Sequence, residues 1–167
     1  MGLRPYTAAM VPRVLAAITA GFLAVLPSCT SYAPPELDVA DVSVRGTTQE
    51  GMILDFTLDA ENMNSEALPL RSVRYTLYLN GAPVFTGFRS PEATLRRYGT
   101  QQVTLPAVMA LGPGKEAPRG HIDYRLEGTI EYITPGELAK LLYDSNIQRP
   151  TVSFEKAGTL DIATQGT

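Results

Sequence analysis

The chain has 167 residues, 44% hydrophobic, 19% charged and 8% aromatic, the balance of an ordinary globular protein. Its net charge of −3 and its scattered Lys and Arg exclude the clustered basic surface that a nucleic-acid partner requires. One cysteine excludes an internal disulfide, and one histidine excludes a histidine-rich metal site.

Met1 to Arg13 carries two positive charges, Arg4 and Arg13, and no acidic residue. Val14 to Leu26 is an uncharged, mostly apolar run of 13 residues, closed by Pro27-Ser28-Cys29. A basic start, a short apolar stretch and a small residue before the cut are the parts of a secretory signal. A helix of that length rises only about 20 Å against a hydrocarbon core of roughly 30 Å, so the run does not read as a permanent span. Leu26-Pro27-Ser28-Cys29 resembles the bacterial lipobox, with Leu26 as its aliphatic position, Ser28 as its small one and Pro27 as a departure. The resemblance implies diacylglycerol on the Cys29 sulfur, cleavage before Cys29 and acylation of the new amino terminus. An ordinary signal-peptidase cut after Ala33 is the rival, and Pro34 in the first mature position disfavours it. Several acyl chains on one cysteine anchor lastingly where a single chain binds marginally. Thr30, rather than Asp, follows the cysteine. By resemblance to Gram-negative lipoproteins, this points to the periplasmic face of the outer membrane.

The expected organisation is a signal over residues 1–28, a lipidated tether over 29–36 and one folded domain over 37–163. Without the signal, 139 residues remain, with 12 basic against 17 acidic side chains and a net charge of −5. That is enough chain to bury roughly two-thirds of its unfolded surface. Pro34-Pro35 in the tether favours an extended conformation that holds the domain off the bilayer.

From Leu37 onward the hydrophobic period is two, the signature of strands with one buried face. Leu37 and Val39 are out of phase with Val42 and Val44, which predicts a bulge near Ala40-Asp41. Met52, Leu54, Phe56, Leu58 and Ala60 share one face of a second strand. Val73, Tyr75, Leu77 and Leu79 share a face of a third, and Asn80-Gly81 predicts a tight hairpin returning through Val84 to Phe88. Val103, Leu105 and Ala107 mark another strand, after which the Gly- and Pro-rich Leu111–Gly120 reads as a loop. Ile122, Tyr124, Leu126, Ile130 and Tyr132 alternate with Asp123, Arg125, Glu127 and Glu131. Thr134-Pro135-Gly136-Glu137 has capping-box spacing for a short helix, whose Leu138, Leu141 and Leu142 are expected to dock on the sheet. Val152–Phe154 and Gly158–Ile162 read as two closing strands. The fold class is therefore all-β: an antiparallel β-sandwich of about seven strands, immunoglobulin- or fibronectin III-like, with one short helix near the C-terminal end.

Several of these segments together resemble the late-embryogenesis-abundant type 2 domain, also called the water-stress and hypersensitive-response domain. They are Leu58-Asp59-Ala60-Glu61-Asn62-Met63-Asn64-Ser65, the Leu68-Pro69-Leu70 step, the strand from Tyr75 to Asn80-Gly81, and Val84-Phe85-Thr86-Gly87. Tyr124 to Gly128 and the Gly158–Ile162 ending fit as well, so the resemblance covers about residues 36–163. Met63 stands where that family usually has proline. Asn62, Asn64, Pro69, Asn80, Gly81 and Gly87 are the motif positions, and a structural role in turns is expected of them. The resemblance implies a compact sandwich associated with dehydration stress, without a general enzymatic activity.

No catalytic constellation emerges beside it, and neither a metal site nor a cofactor is expected. His121 reads as a surface residue, since its one conceivable thiol partner, Cys29, is lipidated on this reading. Asp55 with Asp59, and Asp123 with Glu127 and Glu131, read as solvated strand faces rather than acid–base pairs. Arg96-Arg97 reads as a solvent-facing edge, and the tyrosines as core packing with wetted hydroxyls. The expected function is a non-enzymatic envelope lipoprotein protective in desiccation or osmotic stress. The alternative is a membrane-tethered subunit that binds another envelope protein or an apolar ligand.

Overall fold

The computed structural model describes Gly2 and residues 32–48, 50–112 and 120–162. Cys29, Leu26 and Ser28, with the signal segment, lie outside the described residues, as does 113–119 of the expected loop. Ser31–Thr167 forms one compact unit. Its elements run β1 (Glu36–Thr47), β2 (Gly51–Asn62), β3 (Leu68–Leu79), β4 (Ala82–Arg89), β5 (Thr94–Leu95), β6 (Gly99–Ala110), β7 (Gly120–Tyr132), α1 (Glu137–Asp144) and β8 (Thr151–Ile162).

The expected antiparallel sandwich is present, with eight strands among the described residues rather than about seven. One sheet has the order β1-β2-β6; the other has β4-β3-β7-β8, with β5 paired to the start of β3. β5 is two residues long, too short for any alternation to betray it. The two closing segments expected near the C-terminus are a single 12-residue strand, because Glu155 to Ala157 continue the ladder with β7 without a break.

Alternation places the core. Met52, Leu54, Phe56, Leu58 and Ala60 of β2 are fully buried, and β3 turns Val73, Tyr75, Leu77 and Leu79 inward to face them. The Met, Leu, Phe and Val side chains among them contribute about 1.5–3 kcal/mol each on full burial. Phe56 meets Tyr124 of β7 at 5.8 Å between ring centroids, a contact that crosses between the sheets. β1 shifts register between Val39 and Asp41, where the phase change in the sequence puts a bulge. Asn80 and Gly81 take φ values of 48° and 80°, as a two-residue hairpin between Leu79 and Ala82 requires.

The helix departs from expectation in two ways. Gly136, not Thr134, is its N-cap, and no side chain caps it. β7 ends at Tyr132, but Ile133 just beyond it still donates its N–H to the Pro69 carbonyl of β3 at 3.0 Å, so residues 134–136 are used in turning. Nor do the leucines dock: Leu138 is 68% and Leu141 61% exposed, and Leu142 is only half-buried. Leu68, Leu70, Ile130, Tyr132 and Ile133 already close this end of the core without them. A polar contact attaches the helix instead. The Tyr143 hydroxyl donates to Glu131 of β7, which also receives Arg149 at 3.1 Å. Among the described residues no helix is long and apolar enough to cross a membrane.

Candidate functional site

The most highly organised polar cluster sits where β2 ends. Alternation along β2 directs every second side chain into the core, and at position 62 that side chain is Asn, 0% exposed. A buried amide must satisfy its donors and its acceptor locally. The Asn62 Nδ2 donates to the Glu66 carbonyl at 2.8 Å and the Arg96 carbonyl at 3.1 Å, and also faces the Leu95 carbonyl. Its Oδ1 accepts from the Asn64 backbone N–H at 3.0 Å and from Asn64 Nδ2 at 2.8 Å. One side chain thus ties the β2–β3 loop to the β5–β6 loop.

Asn64 extends the cluster outward. Its Oδ1 accepts from the Ala33 N–H and its Nδ2 donates to the Ala33 carbonyl, both at 2.9 Å. This two-bond clamp holds the segment before β1 against the sandwich, and Pro35 is buried beside it. The Pro34-Pro35 stretch therefore does not act as a free spacer: it is docked from Ala33 onward. The sequence places Asn62 and Asn64 in a turn, but the capture of Ala33 spans 31 positions of chain and carries no local signal. Asn64→Ala should release Ala33 without unfolding the domain. Stability is expected to fall by about 2–4 kcal/mol, the worth of three hydrogen bonds, two to Ala33 and one to the Asn62 Oδ1. Amide hydrogen exchange checks this, because protection at Ala33 should disappear while β2 and β3 stay protected.

The other motif residues are distributed rather than gathered. Pro69 is the second residue of β3, opposite Thr94 of the two-residue β5, near the strand start where a missing N–H is tolerated. Asn80 and Gly81 lie at the far end of β3, where Asn80 Oδ1 accepts from the Asp123 N–H at 3.3 Å. Gly87 is buried on β4 under aromatic rings: a Cβ there would lie 2.7 Å from both Tyr75 and Phe85. The Tyr75 hydroxyl in turn donates to the Pro106 carbonyl of β6, joining the two sheets. Burial, above all, raises the Tyr75 pKa above its ordinary value.

Outside the core, a shallow groove of about 500 Å³ crosses β3, β7 and β8, flanked by Arg74, Thr76, Glu127, Thr129, Ser153 and Glu155. Arg125 lies 4.0 Å over the Tyr78 ring and pairs with Glu127, with Glu155 at 3.8 Å. The Tyr78 hydroxyl donates to Glu127 at 2.7 Å, and this bond raises the tyrosine pKa. The Arg125 guanidinium thus lies between the Glu127 and Glu155 carboxylates in an exposed cross-strand ladder. Three other acidic side chains also have partners. Asp55 pairs with Arg45 at 2.6 Å, Asp59 accepts from Gln102 at 3.0 Å, and Asp123 accepts from Thr159 at 3.2 Å. His121 is exposed, with Asp161 at 3.9 Å. Arg96 and Arg97 lie in the β5–β6 loop rather than along a strand edge. Among the described residues no group of three His, Cys, Asp or Glu could hold a metal ion.

The family described as Late embryogenesis abundant protein, LEA_2, matches residues 57–140. Three solved structures share the fold. A solution structure from Arabidopsis thaliana has a TM-score of 0.61 at 16% identity, covering 85% of this chain and 91% of the other. That of a putative late embryogenesis abundant protein has a TM-score of 0.60 at 19% identity, covering 87% and 78%. A crystal structure of a protein from Archaeoglobus fulgidus has a TM-score of 0.52 at 10% identity, covering 77% and 99%. No curated protein matches the sequence.

Proposed function

Because this chain belongs to the late embryogenesis abundant type 2 family, we propose that it is a non-enzymatic envelope lipoprotein, protective in desiccation or osmotic stress. Acyl chains on Cys29 anchor it, at the periplasmic face of the outer membrane if the host is Gram-negative. The observation that carries this reading is the family match over residues 57–140. That span includes the Asn62–Asn64 cluster, the Asn80-Gly81 hairpin and Gly87. The lipobox-like Leu26-Pro27-Ser28-Cys29 supports the anchor.

Intact-mass measurement of the purified protein tests the anchor. The wild type should carry a lipid-sized increment that Cys29→Ala lacks, and equal lipid-free masses would remove it. Deleting the gene should lower survival of drying or osmotic shock; unchanged survival would dispose of the protective role. A second reading, an interaction subunit for another envelope protein or an apolar ligand, is favoured by the exposed Leu138 and Leu141. Crosslinking in intact cells to a stoichiometric protein partner would shift the balance towards it.

A further inference from the structure

The strand ends divide the sandwich into two poles, and one of them is unusually apolar. β2 ends, and β3, β6 and β8 begin, at the pole where β7 gives way to α1. The registers Glu36↔Glu61, Asn62↔Gly99, Leu70↔Tyr132 and Glu131↔Thr151 define it. The Asn62–Asn64 network fastens its loops together, with the Tyr98 N–H donating to the Asn64 carbonyl at 3.1 Å. Met63, Tyr98, Leu138, Leu141 and Ile147 all belong to the loops and helix of this pole, and each is 56–73% exposed. The other exposed large apolar side chains among the described residues, Val44, Val108 and Phe88, lie apart from this pole on strands β1, β6 and β4; Phe88 is 68% exposed, with the Arg74 guanidinium 5.4 Å from its ring.

The anchoring segment meets the domain at this same pole, through the clamp on Ala33. We propose that this pole rests on the bilayer, with Met63, Tyr98, Leu138, Leu141 and Ile147 set into the headgroup–acyl boundary. The proposal builds on acylation of Cys29. Four residue steps separate Cys29 from Ala33, and a chain of that length spans at most about 14 Å in any conformation. The acyl chains occupy the hydrocarbon, so the clamped pole cannot stand farther than that from the membrane surface. A patch held there meets lipid before it meets any soluble partner.

The chemistry suits lipid as well. Leucine, isoleucine and methionine favour the acyl side of the boundary, and an exposed tyrosine favours the boundary itself. A cleft of about 550 Å³ between the two clamped loops is lined by Ser65, Glu66, Ala67, Arg96 and Arg97. Guanidinium on one side and carboxylate on the other complement a zwitterionic headgroup, whose phosphate meets Arg96 and Arg97 while its ammonium meets Glu66. With both signs present, apolar insertion leads the contact and salt affects it little.

The test uses the purified, acylated protein in vesicles of phosphatidylethanolamine and phosphatidylglycerol carrying a doxyl-lipid quencher. With Cys29 acylated, a new cysteine is the single free thiol for a fluorescent label, introduced as Met63→Cys, Leu141→Cys or Asn80→Cys. Labels at 63 and 141 should lose about half their emission to the lipid quencher, because immersion reaches the headgroup–acyl boundary. The label at 80, at the far pole, should not, and the pattern should persist at high salt. Acylated protein whose labels at 63 and 141 stay unquenched overturns the docking and leaves the anchor standing. Labels shielded from aqueous iodide yet unquenched by lipid indicate a second copy on the patch and also overturn it. Loss of the lipid mass increment overturns anchor and docking together.

Discussion

Asn62→Asp should destabilise the domain by about 3–5 kcal/mol at neutral pH, the range for a buried charge left without a partner. The side chain is fully buried and faces the carbonyls of Glu66, Leu95 and Arg96. An amide donates to them. A carboxylate presents acceptor to acceptor, and the Asn64 N–H groups on its other side cannot compensate for three opposed oxygens. Protonation restores a donor, so the folded state should hold the introduced carboxyl protonated well above the unfolded value of about 3.9. The sign follows from linkage: a raised folded pKa leaves stability intact below the unfolded pKa and loses it as pH rises through the folded one. Urea titrations at acidic and neutral pH, each referred to the wild type, check this. Asn62→Ala should cost about 2–3 kcal/mol with no such pH dependence. Equal behaviour of the two variants at both pH values would discard the charge argument.

Gly87→Val should cost about 2–3 kcal/mol, towards the upper end for overpacking a filled site. Any Cβ at this position lies 2.7 Å from the Tyr75 and Phe85 rings, which pack at a tilt with 5.7 Å between centroids. Tyr75 cannot yield freely, because its hydroxyl is bonded to the Pro106 carbonyl of the opposite sheet. The added methyl groups must therefore displace β4 or break the link between the sheets. Tyr75→Phe keeps the ring and removes only that link, so it should cost about 1 kcal/mol. The midpoint of urea unfolding measures both. A Gly87→Val protein as stable as Tyr75→Phe would mean that it loses no more than the link between the sheets and that overpacking adds nothing.

Much of the fold is legible in the sequence because strand formation leaves a local record. The alternation through β2, β3 and β7, the phase slip at Val39 to Asp41 and the Asn80-Gly81 turn each involve residues within a few positions of one another. Pleating converts that period directly into burial. The candidate site was half-visible. Asn62 and Asn64 stand out as motif residues in a turn, but their partners at positions 33, 95 and 96 are reached only after β1 and β5–β6 have been brought alongside.

The helix marks the opposite limit. Leu138, Leu141 and Leu142 have the spacing of a docked face, and periodicity cannot say whether a partner surface remains to receive them. Leu70, Tyr132 and Ile133 had already closed the core, which leaves two of those leucines outside. Thr134 has the spacing of a cap, yet the bond from Ile133 to Pro69 delays the helix beyond it. Residue order alone thus settles the all-β class, the strand faces and the hairpin, since each depends on neighbours along the chain. Which apolar faces are spent on the core, where the segment before β1 is clamped, and which pole is left apolar depend on contacts between distant residues. Those choices exist only once the two sheets have packed.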